Sequence, residues 1–131
     1  MVATRSIRHT VHIQAKPRSI YEPLMDSKKH RAFSGAPAKI SRKIGGTFTA
    51  YGAHLSGLNV ELVRNKRIVQ AWRAANWPKG HYSIATFDLQ PAKSGTVLTF
   101  SQIGIPAKNA SSINQGWKTH YWQPLKKALE D

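Results

Sequence analysis

The fold is decided by the stretch SINQGWKTHYWQPLKKAL at residues 112–129. Residues four apart lie on one face of an α-helix, and the apolar residues of this stretch have that spacing. The pattern predicts a long helix with one buried face and one face of Asn and Lys side chains. The predicted buried face consists of Ile113, Trp117, Tyr121, Leu125 and Leu129.

Two local signals set the shape of this helix. Ser112 and Gln115 have the S-x-x-Q spacing of a capping box, in which a hydroxyl and an amide satisfy free backbone N–H groups, so we expect the helix to begin there. Pro124 lies inside the pattern, where it removes a backbone hydrogen bond and clashes with the preceding turn. A kink is therefore predicted between His120 and Pro124, and a bent helix of this kind is suited to packing in a curved sheet.

The chain before this helix alternates in the manner of β-strands. Residues 6–14 place apolar and polar side chains on opposite sides, as a half-buried strand does. Pro17 and Asp26 then open two short helices. Short turns rich in Gly, Pro and Asn separate the later strands, which therefore become antiparallel neighbours. Ile84 and Phe87 cannot both follow strict alternation on one face, so the facing of their strand stays open. The later strands are predicted at residues 44–51, 55–63, 67–73, 81–89 and 96–103.

Length and composition limit the class of protein. A chain of 131 residues is long enough for one compact domain, and residues 1–131 are expected to form a single domain. The absence of cysteine excludes disulfides and thiolate chemistry and favours a reducing compartment. No apolar run approaches the ~20 residues of a membrane span, and the first residues lack the apolar core of a signal peptide. We expect a cytoplasmic protein.

The charge balance is the most unusual feature of the composition. There are 20 Lys and Arg residues against 6 Asp and Glu, which gives a net charge of +14. Most basic side chains therefore have no carboxylate partner and must face water, solution anions or an acidic partner. They are spread along the chain without any long run, which favours a solvated basic surface and leaves a site for a polyanion open. The candidate partner-binding residues are Arg64, Lys66, Arg67, Arg73 and Lys79.

Signals for metal or catalytic chemistry are weak. The six histidines include no H-E-x-x-H motif and no helical pair four residues apart, so we predict no metal and no cofactor. His9, on the apolar side of the first strand, is interpreted as a core histidine with a hydrogen-bond partner. We assign no catalytic residue, since an enzyme would need a buried His or carboxylate with a perturbed pKa. Nucleic acid is disfavoured as a partner because no RNA-recognition, KH or helix-turn-helix signature occurs. A monomer or weak dimer is expected.

Five motifs in a fixed order carry a resemblance to a known family. They are FSGAPA at residues 33–38, GGTF at 45–48, IVQAWR at 68–73, WPKGH at 77–81, and QGW at 115–117 continuing to YWQPLK at 121–126. These segments resemble the activator of heat-shock protein 90 ATPase homologue family, of its C-terminal-domain type, within the START-like or SRPBCC superfamily. The resemblance covers roughly residues 6–129.

The resemblance implies an α+β helix-grip fold, the START-like and birch-pollen-allergen-like architecture. A curved antiparallel sheet of about six strands wraps a long C-terminal helix, and two short helices follow the first strand. In many superfamily members, a cavity between sheet and helix holds an apolar or aromatic ligand. In the two-domain eukaryotic co-chaperone, the C-terminal domain assists near the nucleotide domains of the chaperone, and a separate N-terminal domain makes a major contact. We expect no room for that second domain here.

Three functions remain open. The first is a non-enzymatic module that binds a small apolar or aromatic ligand between sheet and helix. The second is a chaperone-associated protein of the stress response that acts as an ATPase activator through its basic surface, and the third is a START-like enzyme such as a cyclase or hydrolase. Trp77 lies in a turn with Pro and Gly, where it either folds back as a lid or stays at the surface. The aromatic residues of sheet and helix either line a cavity or fill the core. The candidate ligand-binding residues are Tyr51, His54, Trp72, Phe100, Trp117 and Tyr121.

Overall fold

A computed structural model describes residues 2–130, which form a seven-stranded antiparallel sheet covered on one face by helices. The strands are β1 (Thr4–Ile13), β2 (Ala38–Ile40), β3 (Thr47–Ala50), β4 (Leu55–Val63), β5 (Arg67–Ala74), β6 (Ser83–Ala92) and β7 (Gly95–Pro106). Their order across the sheet is β1-β7-β6-β5-β4-β3-β2. The predicted meander is confirmed, with the short edge strand β2 added to the expected six.

Two short helices carry the chain from one edge of the sheet to the other. They are α1 (Pro17–Met25) and α2 (Ser27–Ser34), and they join β1 to β2 at the opposite edge. The predicted start and end of α2 are confirmed. Asp26 caps the helix by accepting a hydrogen bond from the backbone N–H of Lys29 at 2.9 Å, and Gly35 ends it with φ 71°. Because glycine has no Cβ, it adopts this left-handed conformation without steric cost.

The C-terminal helix consists of three consecutive segments. They are α3 (Ala110–Trp117), a π-helical turn (Lys118–Trp122) and α4 (Gln123–Leu129). The aromatic and aliphatic stripe predicted from the sequence faces the inner side of the sheet, where Trp117, Tyr121 and Leu125 are buried. One apolar cluster joins this stripe to the inner side chains of β3 to β7 and to the apolar face of α1.

The predicted capping box is wrong. The helix begins at Ala110 rather than at Ser112, after a 3-10 turn at Ala107–Asn109. Ser112 Oγ donates to the carbonyl of Asn109 at 3.1 Å, and the amide of Gln115 donates to a threonine hydroxyl one turn later. The helix starts earlier because the 3-10 turn already holds the backbone close to helical geometry, so no cap is needed at Ser112.

Where the sequence predicts a kink, between His120 and Pro124, the helix contains the π-helical turn. The N–H of Gln123 donates to the carbonyl of Lys118, five residues earlier. Pro124 has no N–H, so it cannot bond the carbonyl of His120 four residues before it. The extra residue in the turn is accommodated there, and both Tyr121 and Trp122 are buried as a result. The kink also leaves one carbonyl available to another part of the chain.

The sequence left the facing of β6 open, but the irregularities of the sheet lie in other strands. β6 alternates regularly, with Ile84 on the outer face and Phe87 on the inner face. Register shifts occur instead in the β1–β7 pair and in β4, next to Asn59. Asn59 is fully buried and donates to the carbonyls of Ser41 and Lys43, at 2.7 and 3.1 Å. This amide fixes the loop that leads into β3.

Candidate functional site

A cavity of about 350 Å³ lies between the C-terminal helix and the end of β5, partly open to solvent. Five tryptophan and tyrosine side chains line it, and histidine, asparagine and serine side chains lie among them. Helix α3 lies on one side of the cavity, and β5 with the turn that follows it lies on the other. The lining residues are Tyr51, His54, Leu55, Trp72, Asn76, Trp77, Asn109, Ser112, Ile113, Gly116, Trp117, His120 and Tyr121.

Three tryptophans make the inner wall of the cavity. The ring of Trp72 lies 5.4 Å from that of Trp77 and 5.5 Å from that of Trp117, measured between ring centroids. Trp77 is 4% exposed, so it folds back over the sheet rather than standing at the surface. Arg73 holds this turn closed, since its guanidinium donates to the carbonyls of Trp77 and Pro78 at 3.0 and 3.2 Å.

A chain of buried hydrogen bonds ties the helix to the sheet beneath the cavity. Trp117 Nε1 donates to Gln102 Oε1 at 2.7 Å, and Gln102 Nε2 donates to Ser83 Oγ at 2.8 Å. Ser83 Oγ in turn donates to the carbonyl of Trp72 at 2.9 Å. Gln102 is fully buried, so these two bonds satisfy both ends of an amide that has no access to water. The relative positions of Trp117 and Trp72 are therefore fixed.

Tyr51 also lines the cavity and forms a hydrogen bond to the C-terminal helix. Its hydroxyl donates to the carbonyl of His120 at 2.6 Å, which is the carbonyl that Pro124 leaves without a helical partner. Tyr51 has φ 51°, a left-handed conformation that costs about 1 kcal/mol for a residue with a side chain. Burial raises the pKa of Tyr51, so the hydroxyl keeps the proton that it donates.

A buried histidine lies behind the cavity wall. His30 is 2% exposed, and its Nε2 lies 3.0 Å from the hydroxyl of Tyr121. Burial lowers the pKa of His30 to about 4, because the charged imidazolium would lose its hydration. Burial also raises the pKa of Tyr121, with a further contribution from Tyr51. The pair is therefore neutral at physiological pH.

Two buried polar atoms at the cavity wall have no hydrogen-bond partner within the part of the chain described. They are Trp77 Nε1, a donor, and Asn109 Oδ1, an acceptor. The two side chains come from opposite sides of the cavity, the turn after β5 and the start of the C-terminal helix. Buried polar groups are rarely left unpaired, and both atoms are shielded from solvent although their side chains line the cavity.

Five of the six ligand-binding candidates line the cavity, and Phe100 does not. Phe100 is fully buried beneath Trp117, with ring centroids 4.4 Å apart, and supports the wall from behind. Sequence reasoning missed Gln102 and Asn109, because no pattern distinguishes a buried amide on a strand or at a helix start from an exposed one. Ile113 and Gly116 could have been found from the sequence, because their helical spacing places them on the same helix face as Trp117.

The partner-binding candidates divide between the two ends of β5. Arg64, Lys66 and Arg67 lie at the β4–β5 hairpin, and Arg73 and Lys79 lie at the other end. Arg67 bonds Glu61 at 2.7 Å and Asp88 at 2.6 Å, hydrogen bonds that raise its pKa. Arg73 is also engaged, because it bonds the carbonyls of the Trp77 turn. The exposed side chains of this set are therefore Arg64, Lys66 and Lys79.

The described residues contain no group of three His, Asp or Glu side chains close enough to hold a metal ion. The hydrogen-bond partner predicted for His9 is present, on a side chain that is half-buried rather than fully in the core. Its Nδ1 accepts from Trp122 Nε1 at 2.8 Å, so its Nε2 donates to Asn114 Oδ1 at 2.6 Å.

None of the helices within residues 2–130 combines the length and the hydropathy needed to cross a membrane.

Comparison with known proteins agrees with this architecture. The sequence model of the family described as Activator of Hsp90 ATPase homolog 1-like protein matches residues 14–130. The human protein named Activator of 90 kDa heat shock protein ATPase homolog 1 is 32% identical over 113 residues, which are 86% of this chain and 33% of the human protein. A Dictyostelium discoideum protein named as an activator of the same ATPase is 30% identical over 94% of this chain and 32% of its own length.

A solved structure has the same fold. The crystal structure of an HSP90 activator from Plasmodium falciparum superposes with a TM-score of 0.88, at 21% sequence identity, over 94% of both chains. This chain spans about a third of the length of the curated relatives that it matches.

The buried His30 makes the stability of the fold dependent on pH. Its pKa falls from an ordinary 6.5 to about 4 on folding, so between these values the unfolded chain binds the proton more readily. The free energy of unfolding should therefore drop by about 3 kcal/mol as the pH falls from 7 to 4. Urea unfolding at a series of pH values measures this drop, and His30→Gln, which retains a hydrogen-bonding group, should remove it.

The matched control is His12, which is exposed on β1. His12→Gln should retain the whole drop in stability. If His30→Gln and the unmodified protein lose the same free energy over this range, then His30 is protonated in the folded protein and the burial argument fails.

Proposed function

The chain belongs to the Activator of Hsp90 ATPase homolog 1-like family, and on that premise we propose that it is a non-enzymatic binding module for a small apolar or aromatic ligand. The observation that carries the proposal is the cavity of about 350 Å³ between Trp72 and Trp77 on one side and Trp117 on the other. Its volume lies within the ~300–1,000 Å³ of typical ligand pockets, and its aromatic walls suit an apolar occupant. We infer further that residues 1–131 act as one domain, in the cytoplasm.

The polar groups of the cavity narrow the chemistry of this ligand. Trp77 Nε1 and Asn109 Oδ1 are unpaired but shielded from solvent, so a ligand would reach them only after a small rotation of each side chain. The indole would then donate to an acceptor on the ligand, and the amide oxygen would accept from a donor. A planar molecule with an apolar ring and a polar edge, such as an aromatic lactam or hydroxy acid, meets both requirements. The cavity would then select by shape through its rings and by orientation through these two atoms.

The enzyme hypothesis has less support. His30 has the buried position and perturbed pKa that such a function requires. However, a base with a pKa of about 4 is weak at neutral pH, and its Nε2 contacts the Tyr121 hydroxyl behind the cavity wall. A catalytic role would require Tyr121 to relay a proton that its raised pKa makes hard to release.

A second candidate function is association with a chaperone of the heat-shock protein 90 type. It is favoured by the names of the relatives and by the excess of basic side chains over carboxylates. Arg64 and Lys66 form an exposed basic tip at the β4–β5 hairpin, and Arg64 continues along the surface to Arg42 and Lys43. An acidic surface would be steered to this region by its charge.

A substitution that fills the cavity without damaging the core tests ligand binding. Gly116 lines the cavity, and a Cβ added there meets only a histidine ring atom at 3.9 Å. Gly116→Leu should retain or raise stability, because leucine is the better helix former, but should weaken binding of the neutral probe N-phenyl naphthylamine about tenfold or more. Probe fluorescence and thermal unfolding measure the two effects, with about 2.7 kcal/mol of stabilisation expected for the unmodified protein at a hundredfold excess over Kd.

Gln115→Leu is the control for this experiment. Gln115 lies on the exposed side of the same helix, so added apolar bulk there should leave probe binding unchanged. Equal binding by Gly116→Leu and the unmodified protein would refute binding in this cavity, even if the probe bound elsewhere.

Charge reversal at the basic tip tests the chaperone hypothesis separately. Arg64→Glu/Lys66→Glu should raise about tenfold or more the concentration of this protein needed to stimulate the ATPase of a bacterial-type heat-shock protein 90. The effect of the unmodified protein should also weaken with salt, since exposed charges are screened. Lys126→Glu/Lys127→Glu, the same change of net charge on α4, should have a smaller effect. Stimulation that is absent, or equal in both variants, would contradict a role for the hairpin tip.

A further inference from the structure

One edge of the sheet lacks a neighbouring strand. β1 stands at the end of the strand order and pairs with β7, so on its other side no strand of residues 2–130 meets it. The register with β7 shifts once, between Arg5 and Ile7, and then continues residue by residue from Ile7 to Ile13. An edge of this kind presents unpaired backbone N–H and carbonyl groups, which are a template for a further strand.

A side-chain contact shows which backbone groups point to this open side. The backbone N–H of Gln14, just after β1, donates to the carboxylate of Glu130 at 2.9 Å, so it points away from β7. Backbone groups in an antiparallel strand alternate in direction, and those of Arg8, Thr10 and His12 therefore point to the open side as well. Glu130 already makes with Gln14 the contact that a carbonyl of an added strand would make.

A groove lies beside the open edge, on the side of the C-terminal helix. The half-buried side chain of Val11 and the buried ring of Trp122 give it an apolar floor. An added strand would lie along β1 with every second side chain in this groove. The groove shares no lining residue with the aromatic cavity. It is lined by His9, Thr10 and Val11 of β1 and by Lys118, Trp122, Gln123 and Lys126 of the helix.

The open edge is positively charged on both faces of the sheet. Arg8 is exposed on the outer face of β1, and Lys118 is exposed beside the groove. The ion pairs found among the described residues are made by Arg42 and Arg67, so the charges of Arg8 and Lys118 are not neutralised there. Two copies of this chain joined edge to edge would bring like charges together, which disfavours pairing with itself. An acidic strand would instead be attracted.

From these observations we propose that the open edge of β1 binds an extended acidic segment of a partner protein, which adds to the sheet as a further antiparallel or parallel strand. The backbone of this segment bonds the N–H and carbonyl groups of Arg8, Thr10 and His12. Its side chains alternate between the two faces, so those on the outer face reach Arg8 and those on the inner face lie in the groove toward Lys118. Acidic side chains thus meet a cation on either face.

A short peptide of alternating glutamate and valine tests the proposal, because it combines negative charge with the β-propensity of valine. Fluorescence anisotropy of the labelled peptide should show saturable binding that weakens with added salt. The same peptide with all its backbone nitrogens methylated retains the charge but cannot donate hydrogen bonds to the edge. It should bind about tenfold or more weakly. Equal binding of the two peptides would reduce the contact to charge attraction and overturn the proposal.

Thr10→Pro tests the open edge from the side of the protein. Proline has no N–H, and its ring stands where the added strand would approach, but the bonds between β1 and β7 remain because the N–H of Thr10 points away from β7. Binding should weaken about tenfold or more, with the thermal unfolding temperature little changed. Arg8→Glu/Lys118→Glu should also weaken binding. Lys28→Glu/Lys29→Glu, the same change of net charge on exposed residues of α2, should weaken it much less.

Hydrogen exchange of the backbone amides gives a readout that depends on no variant. When the peptide binds the unmodified protein, the N–H groups of Thr10 and His12 should exchange several-fold more slowly, while that of Ile44, in the loop before β3, should be unaffected. Three results would overturn the proposal: no binding of the peptide, binding without protection of these two amides, or a β1 edge that pairs with a second copy of the chain and excludes the peptide.

Discussion

The buried amide of Gln102 is the contact on which the arrangement of helix and sheet depends. A glutamine with no access to water must find partners for both its oxygen and its nitrogen, and here these partners are Trp117 on the helix and Ser83 on β6. Apolar packing alone would allow the helix to slide along the sheet, since hydrophobic burial has no direction. The directed hydrogen bonds fix the height at which Trp117 stands over Trp72. The cavity beside them keeps its shape for that reason.

The kink in the helix has a comparable effect at the other side of the cavity. Pro124 breaks the regular ladder, the π-helical turn absorbs the extra residue, and the carbonyl of His120 becomes free to accept from Tyr51. Tyr51 retains a left-handed backbone to make this bond. Strained conformations persist where the surrounding structure determines them, and they concentrate at functional sites. Helix, loop and sheet are thus joined on both sides of one cavity, which explains why it stays open in a core otherwise filled with aromatic rings.

The sequence was sufficient for the architecture because periodicity reports burial. The four-residue spacing of the C-terminal stripe and the alternation of the strands predicted which faces meet, and Pro124 predicted the kink. Periodicity does not report an apolar residue that faces solvent, and this is why Ile84 made the facing of β6 ambiguous. The position of Gln102 was equally hidden, since a buried amide is recognisable only from its partners. The capping prediction failed because Ser112 carries the right side chain within a helix that an earlier 3-10 turn had already begun.

The ligand proposed for the cavity would lie between Trp72, Trp77 and Trp117, and the four tryptophans of the chain provide a direct test of binding there. Each indole N–H gives one signal in a proton–nitrogen NMR correlation spectrum. On titration with N-phenyl naphthylamine, we expect the signals of the three cavity tryptophans to shift together, and that of Trp122 to remain in place because its N–H is bonded to His9 outside the cavity. Shifts confined to Trp122, or no shift in any of the four signals, would contradict ligand binding in this cavity.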